Sequence, residues 1–172
     1  MMIDIKRILF FILGVSILYK FARNMGKYSD TMADLVKKFE GVKLQAYKDV
    51  AGIWTIGYGL IRYPNGQKVK QGDKITQEQA NEYFKQTLQK FAQGVEDSVK
   101  VKINNNQFAA LVSLAYNIGI NAFKDSTLLK LVNKNPNNPD IKNEFMKWVN
   151  AGGKPVQGLV NRRSIEANLY FS

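Results

Sequence analysis

The chain predicts an α+β fold, mostly helical, with a small β-hairpin lobe flanking a cleft. Three observations carry that expectation. The stretch WTIGYGL, from Trp54 to Leu60, alternates in side-chain character with the period of a strand. Asn65-Gly66, after Tyr63-Pro64, supplies a hairpin turn between LIRY and QKVKQ. From Thr76 onward, apolar residues recur at helical spacing between Gly- and Asn/Pro-rich breaks.

Taken in order, Met32, Leu35, Val36 and Phe39 fit one face of a helix, and Gly41 is a terminator. Residues 34 to 75 read as the strand-rich part, with Trp54, Ile56, Tyr58 and Leu60 on one face and Thr55, Gly57 and Gly59 on the other. Thr76 with Gln79 forms a capping-box pattern ahead of Ala80, Phe84, Leu88, Phe91 and Val95. That long helix bridges the small lobe to the helical one and sets the cleft at its start. Gln107 to Ile118 is apolar nearly all round, as a buried helix requires, and Gly119 ends it. Shorter helices are expected at Ser126 to Val132, Pro139 to Val149 and Asn161 to Phe171, separated by the NKNPNNPD and AGGKP loops. Trp148, sharing an apolar face with Ile141, Phe145 and Val149, is assigned to the core.

Composition restricts the chemistry. At 172 residues with four prolines and no serine-rich linker, the chain has room for one domain with an adequate core. It contains no histidine and no cysteine, which removes Ser-His-Asp and Cys-His nucleophilic systems and the usual zinc sites. Carboxylate chemistry remains, and Glu40 and Asp49 are the pair that stands out. Glu40 occupies a rigid, partly buried helix end, where low polarity favours the neutral acid that a proton donor needs. Asp49 lies in the looser AYKDVAG segment, where it stays ionised near water and shares that water with the Thr55 hydroxyl. Beside Thr55, the absent side chains of Gly57 and Gly59 make a floor that a flat sugar ring can approach. Each residue also has a plain reading: a helix-end glutamate, a turn aspartate, a strand threonine and a bulge glycine.

Glu40, eight residues, Asp49, five residues, Thr55, set in FEGVKLQAYKDVAGIWTIGYG, closely resembles the phage-type lysozymes of glycoside hydrolase family 24. Further matches run through AYNIG at Ala115 to Gly119, DSTLLKLVN from Asp125, and WVNAGGKPVQGLVNRRSIE between Trp148 and Glu166, the last similar to lambdoid phage endolysins. The resemblance covers roughly residues 30 to 172. It implies a lysozyme-like fold and a muramidase that hydrolyses the β-1,4 bond between N-acetylmuramic acid and N-acetylglucosamine in peptidoglycan, for lysis of a bacterial host. By that analogy Glu40 is the general acid, Asp49 the water-positioning carboxylate and Thr55 its partner, with no metal or organic cofactor. One departure is visible: many relatives carry His where this chain has Leu60. That His is not among the three groups of the chemistry, so its loss is read as altered local packing or polarity.

Other residues enter through the resemblance. Arg162 and Arg163 look like the family's arginine pair, one member of which faces the acid, fixes its rotamer and favours its ionised form against burial. The alternative is two surface arginines. Asn117 either reaches the cleft or caps its own helix end. Tyr58 and Tyr63 are candidates for stacking on sugar faces. Arg162, Asn117, Gly57, Tyr58 and Gly59 complete the candidate substrate-binding set. Two rival functions stand beside the hydrolase: a lytic transglycosylase on the same bond, which needs no positioned water, and a non-catalytic cationic protein that binds walls or disrupts membranes.

The net charge is +11, and from Thr31 onward 20 basic and 12 acidic residues leave +8. Without histidine this field hardly changes between pH 5 and 8. A cationic surface suits a polyanion. No nucleic-acid motif accompanies the basic residues, so peptidoglycan is the expected partner, nucleic acid is not, and the chain is expected to be a monomer. Lys6 and Arg7 precede an uncharged run, Ile8 to Tyr19, that spans about 18 Å as a helix. That is short of the ~30 Å hydrocarbon layer even with residues to 22 included. No small-x-small cleavage site follows in KFARNM. Residues 1–28 are therefore read as a signal-anchor or signal-arrest-release segment, with membrane contact through residues 8–22, and 29–172 as the catalytic domain. The interfacial amphipathic helix is the rival reading. The expected location is the host periplasm and cell wall after export or release, with a transient inner-membrane tether.

Overall fold

The computed structural model of the chain describes residues 32–49 and 51–172. The segment 1–31, which carries the anchor reading, lies outside the described residues. Helix α1 occupies 32–40 and ends where Gly41 takes φ +61°, its N–H donating to the Lys37 carbonyl at 3.2 Å. Strands β1 (Lys43–Lys48) and β2 (Trp54–Gly57) pair antiparallel, with Tyr47 opposite Thr55 and an irregularity between Lys43 and Tyr47. The helical lobe follows: α2 (Gln77–Ser98), α3 (Asn105–Ile118), α4 (Ile120–Asp125), α5 (Thr127–Lys134), α6 (Asp140–Met146) and α7 (Gln157–Tyr170). A two-residue hairpin, β3 (Asn150–Ala151) with β4 (Lys154–Pro155), separates the last two helices. This α+β arrangement, helical with a small antiparallel sheet, is the predicted class.

The helix starts follow local chemistry. Thr76 and Gln79 form the expected reciprocal capping box, and Asn104 with Gln107 forms a second at the head of α3. Each box satisfies two of the backbone donors that a helix N-terminus leaves open. The Ser126 hydroxyl receives the Leu129 N–H at 3.1 Å and starts α5. Helix α3 is the axis of the core, fully enclosed from Gln107 to Ala115, and it packs on α2, α4 and α7. Phe84, Leu88, Val95, Phe123, Leu128, Ile141, Phe145 and Tyr170 close around its own Leu111 and Leu114.

Four expectations need correction. Residues 34 to 75 are not uniformly strand-rich: α1 runs to 40, and beyond β2 the pairing reduces to isolated bridges such as Arg62 with Lys68. The alternation does not continue to Leu60, because Gly57 takes φ +63° and ends the strand; Ile56 and Leu60 then exchange two backbone hydrogen bonds of 2.9 Å across the turn. Helix α6 stops at Met146, so Trp148 lies beyond it, although it still packs on the core as expected. The AGGKP stretch, expected as a loop, holds the β3–β4 hairpin, and α4 carries no mark in the sequence. Six and two residues are too short to show a period.

Candidate active site

Glu40 is the last residue of α1, and its side chain is 17 % exposed. Arg162 Nη1, from α7, donates to its Oε1 at 2.6 Å. The guanidinium is held from every side: Nε donates to Glu166 Oε1 at 3.0 Å, Nη2 to the Ser113 carbonyl at 3.1 Å, and Phe39 lies face-on at 4.8 Å. Oε2 of Glu40 points toward Gly59, where an added β-carbon would stand 3.2 Å away. Only glycine, at φ +85°, leaves that oxygen open.

Asp49 follows β1. Its Oδ1 accepts the N–H groups of Ala51 at 2.9 Å and Ile53 at 2.8 Å, which closes the turn into β2. The Thr55 hydroxyl, nearly fully buried, donates to the Ile53 carbonyl at 3.1 Å. One residue thus ties both side chains: Ile53 gives its N–H to Asp49 and its carbonyl to Thr55. Oδ2 of Asp49 accepts no hydrogen bond from the described residues. Tyr47, paired with Thr55 across the sheet, lies within electrostatic reach of both carboxylates. Burial lifts its phenol above the ordinary range, and the charges of Glu40 and Asp49 both add to the rise.

A cleft of about 540 Å³ opens beside Gly59, with the loop from Leu60 to Gly66 on one wall and Thr87, Lys90 and Phe91 of α2 on the other. Tyr116, Asn117 and Gly119 form its end. The Tyr116 hydroxyl donates to the Tyr58 carbonyl at 2.7 Å and so pins the 57–60 turn to α3. Burial first, and then the Glu40 charge, push the Tyr116 phenol far above its usual range, while Arg162 opposes them.

The predicted substrate-binding residues divide. Gly59 and Asn117 border the cleft, and Asn117 also accepts from Arg163 Nη2 at 2.9 Å. Tyr63 lines it too, with its hydroxyl donating to Asp73 at 2.9 Å. Gly57 instead turns toward Ile75 and Ala80, so it is not a floor beside Thr55. The Tyr58 ring packs on Phe84 at 5.0 Å with Lys37 over it, and its hydroxyl engages Asn81 and Gln77 of α2. That side chain is occupied in packing. Leu60 lines the cleft with an apolar side chain.

The two arginines are not surface residues: Arg162 is 4 % and Arg163 0 % exposed. Arg162 is the one that faces Glu40. Arg163 turns to Glu166, with Nε 3.0 Å from Oε2 in an ion pair that is not aligned as a hydrogen bond, and Nη2 3.4 Å from Oε1. The Ser113 hydroxyl donates to Glu166 Oε1 at 2.6 Å. Burial lowers Arg163 to about 10 and raises Glu166, with the opposite charges acting against both shifts. Breaking such a buried set from one side costs on the order of 3–5 kcal/mol. Glu166 and Ser113 escaped sequence reasoning. Their signals were present: Arg162 and Arg163 stand four and three positions before Glu166, and Ser113 is the one serine or threonine in an apolar helix.

The pattern of the family described as phage lysozyme matches residues 37–166. The endolysin of Bacillus phage PZA is 43 % identical over 141 residues, a match that takes in 81 % of this chain and 53 % of that protein. The chain thus spans about half the length of that curated relative. The SAR-endolysin of Enterobacteria phage P21 is 34 % identical over 133 residues, with 76 % of each chain covered. Among solved structures, the endolysin from Escherichia coli O157:H7 phage FAHEc1 superposes with a TM-score of 0.75 at 44 % identity, covering 84 % of this chain and 93 % of that one. With one pattern spanning most of the chain and relatives alike in sequence and fold, the chain belongs to the phage lysozyme family.

Proposed function

We propose that the protein is an endolysin that hydrolyses the β-1,4 bond between N-acetylmuramic acid and N-acetylglucosamine of peptidoglycan, for lysis of a bacterial host. The observation that carries this reading is the Glu40 carboxyl, held by Arg162 on one oxygen and facing Gly59, at the edge of an open cleft, with the other. Glu40, from the oxygen that faces Gly59, protonates the leaving glycosidic oxygen. Asp49 and Thr55 hold the water. The Thr55 proton is committed to the Ile53 carbonyl, so its oxygen is left as an acceptor, like Oδ2 of Asp49, which takes no hydrogen bond from the described residues. Two acceptors take the two hydrogens of one water and leave its lone pair aimed at the anomeric carbon. Asp49 then receives the proton, as inversion requires.

Glu40→Gln keeps shape and hydrogen bonding but removes the transferable proton. Turbidity clearing of purified walls should fall by about 100-fold or more, the usual worth of a positioned acid, with the circular dichroism unchanged. Full clearing by Glu40→Gln and by Asp49→Asn would hand the function to a cationic wall-binding or membrane-disrupting mode. Mass spectrometry of the muropeptides separates the remaining rival: reducing ends fit hydrolysis, and anhydro ends mean a lytic transglycosylase.

Residues 1–28 act, in this proposal, as the tether from which the enzyme leaves the inner membrane, with 29–172 as the catalytic domain. The likeness to a SAR-endolysin supports it. Among the described residues, no helix is long and apolar enough to cross a membrane. Membrane fractionation with and without residues 1–27 tests the tether.

A further inference from the structure

We propose that Glu166 is a positioning residue for the acid: its carboxylate holds the Arg162 guanidinium on Glu40 and neutralises Arg163, which would otherwise bear on the same carboxyl. This rests on the reading of Glu40 as proton donor. Three observations support it. Glu166 is fully enclosed, yet it carries a charge-bearing group, receives Ser113 Oγ at 2.6 Å and Arg162 Nε at 3.0 Å, and forms an ion pair with Arg163 Nε at 3.0 Å. Arg162 is then committed at Nε and Nη2, so that only Nη1 remains for Glu40, at 2.6 Å. The buried cluster of Arg162, Arg163, Glu40 and Glu166 pairs two positive with two negative groups, and Arg163 lies within electrostatic reach of Glu40.

The consequence is a division of labour. With Glu166 in place, Arg163 is spent on Glu166, and Arg162 reaches Glu40 in one orientation. Without the Glu166 charge, two arginines face one carboxylate in a dry interior, where an unbalanced charge acts strongly. Glu40 would then release its proton more readily and be a poorer donor. The other groups around Glu40 are Tyr116 from α3 and Tyr47 from β1, the latter also under the Asp49 charge. Neither tyrosine titrates in the neutral range.

The test is Michaelis and pH-rate analysis of the full chain on purified wall glycan, with folding followed by circular dichroism. Glu166→Gln should lower kcat by about 10- to 100-fold, the scale of misplacing a reacting group by about 1 Å, with KM nearly unchanged. Its alkaline limb, which reports the proton donor, should move toward lower pH. Arg163→Gln with Glu166→Gln rebalances the cluster and should return the limb toward that of the unsubstituted chain while kcat stays low. Ser113→Ala loosens Glu166 without changing any charge, and should lower kcat by a few fold with the limb unmoved. A folded Glu166→Gln with unchanged kcat and limb overturns the proposal. If that variant does not fold, the double variant decides: reduced kcat at unchanged KM supports positioning, and full kcat rejects it. Glu40→Gln run in parallel keeps the cases apart, since its retention of activity would overturn the acid assignment itself.

Discussion

Gly59 and Glu40 are matched by a missing side chain: a β-carbon at position 59 would stand 3.2 Å from Oε2 of Glu40, the oxygen that Arg162 leaves free. The backbone there, at φ +85°, is itself a glycine conformation. Two independent requirements therefore fall on one residue, one steric and one conformational.

Gly59→Ala should damage activity more than stability. The left-handed backbone costs an ordinary residue roughly 1–2 kcal/mol, or a few degrees of melting temperature in a chain of this size. Crowding Oε2 should lower kcat by about 10-fold or more. Melting curves beside wall-lysis kinetics check it; a stability loss with full kcat would show that the Glu40 oxygen needs no open space there.

Gly94, inside α2, has a different reason to be glycine. An added β-carbon would meet Cδ1 and Cγ1 of Ile120 at 2.7 Å each. Alanine gains about 1 kcal/mol of helix propensity, but overpacking typically costs 1–3 kcal/mol. Gly94→Ala should thus destabilise by about 1 kcal/mol net, the balance of these two terms. Combined with Ile120→Ala, the pair should lose less than the sum of its single changes in urea unfolding.

Tyr63 makes alkaline stability testable. Burial and its hydrogen bond to Asp73 raise its phenol from 10.0 to about 12. The folded state therefore keeps a proton that the unfolded chain gives up, so its contribution is intact below pH 10 and is lost as pH rises through about 12. Tyr116 and Tyr170, raised further by burial, act in the same direction. Urea midpoints of Tyr63→Phe should fall less steeply across that interval than those of the unsubstituted chain, and phenolate absorbance should show a late-titrating tyrosine missing.

The net charge of +11 predicts salt-sensitive action on an anionic wall. Screening shortens from about 10 Å at 0.1 M to about 3 Å at 1 M salt, so initial lysis rates should fall across that range. With no histidine in the chain, the steering part of the effect should be alike at pH 5 and pH 8. Lysis independent of salt would reject electrostatic steering.

Short-range features were legible in the linear chain because their causes are short-range. The Thr76–Gln79 box, Gly41 and Gly119 as helix ends, and the Asn65–Gly66 turn each need only a few neighbouring residues, and the structure places them as read. The Glu40, Asp49 and Thr55 spacing was readable for the same reason: the three lie at the end of α1, in the turn after β1 and on β2, within sixteen consecutive residues. By contrast, WTIGYGL looked like one strand because alternation continues through Gly57, while the positive φ that Gly57 takes ends the strand there. Helix α4 left no periodic signal in six residues.

By itself the sequence determined the fold class and the cationic, histidine-free character of the chain, and it put forward Glu40, Asp49 and Thr55 as candidates, since these follow from residue identity and local spacing. Tertiary structure alone decided that Arg162 rather than Arg163 reaches Glu40, across 122 positions of chain, and that Glu166 and Ser113 hold it there. Adjacent arginines on a helix point about 100° apart, and only the packing of α7 against α3 selects which of those directions meets the end of α1.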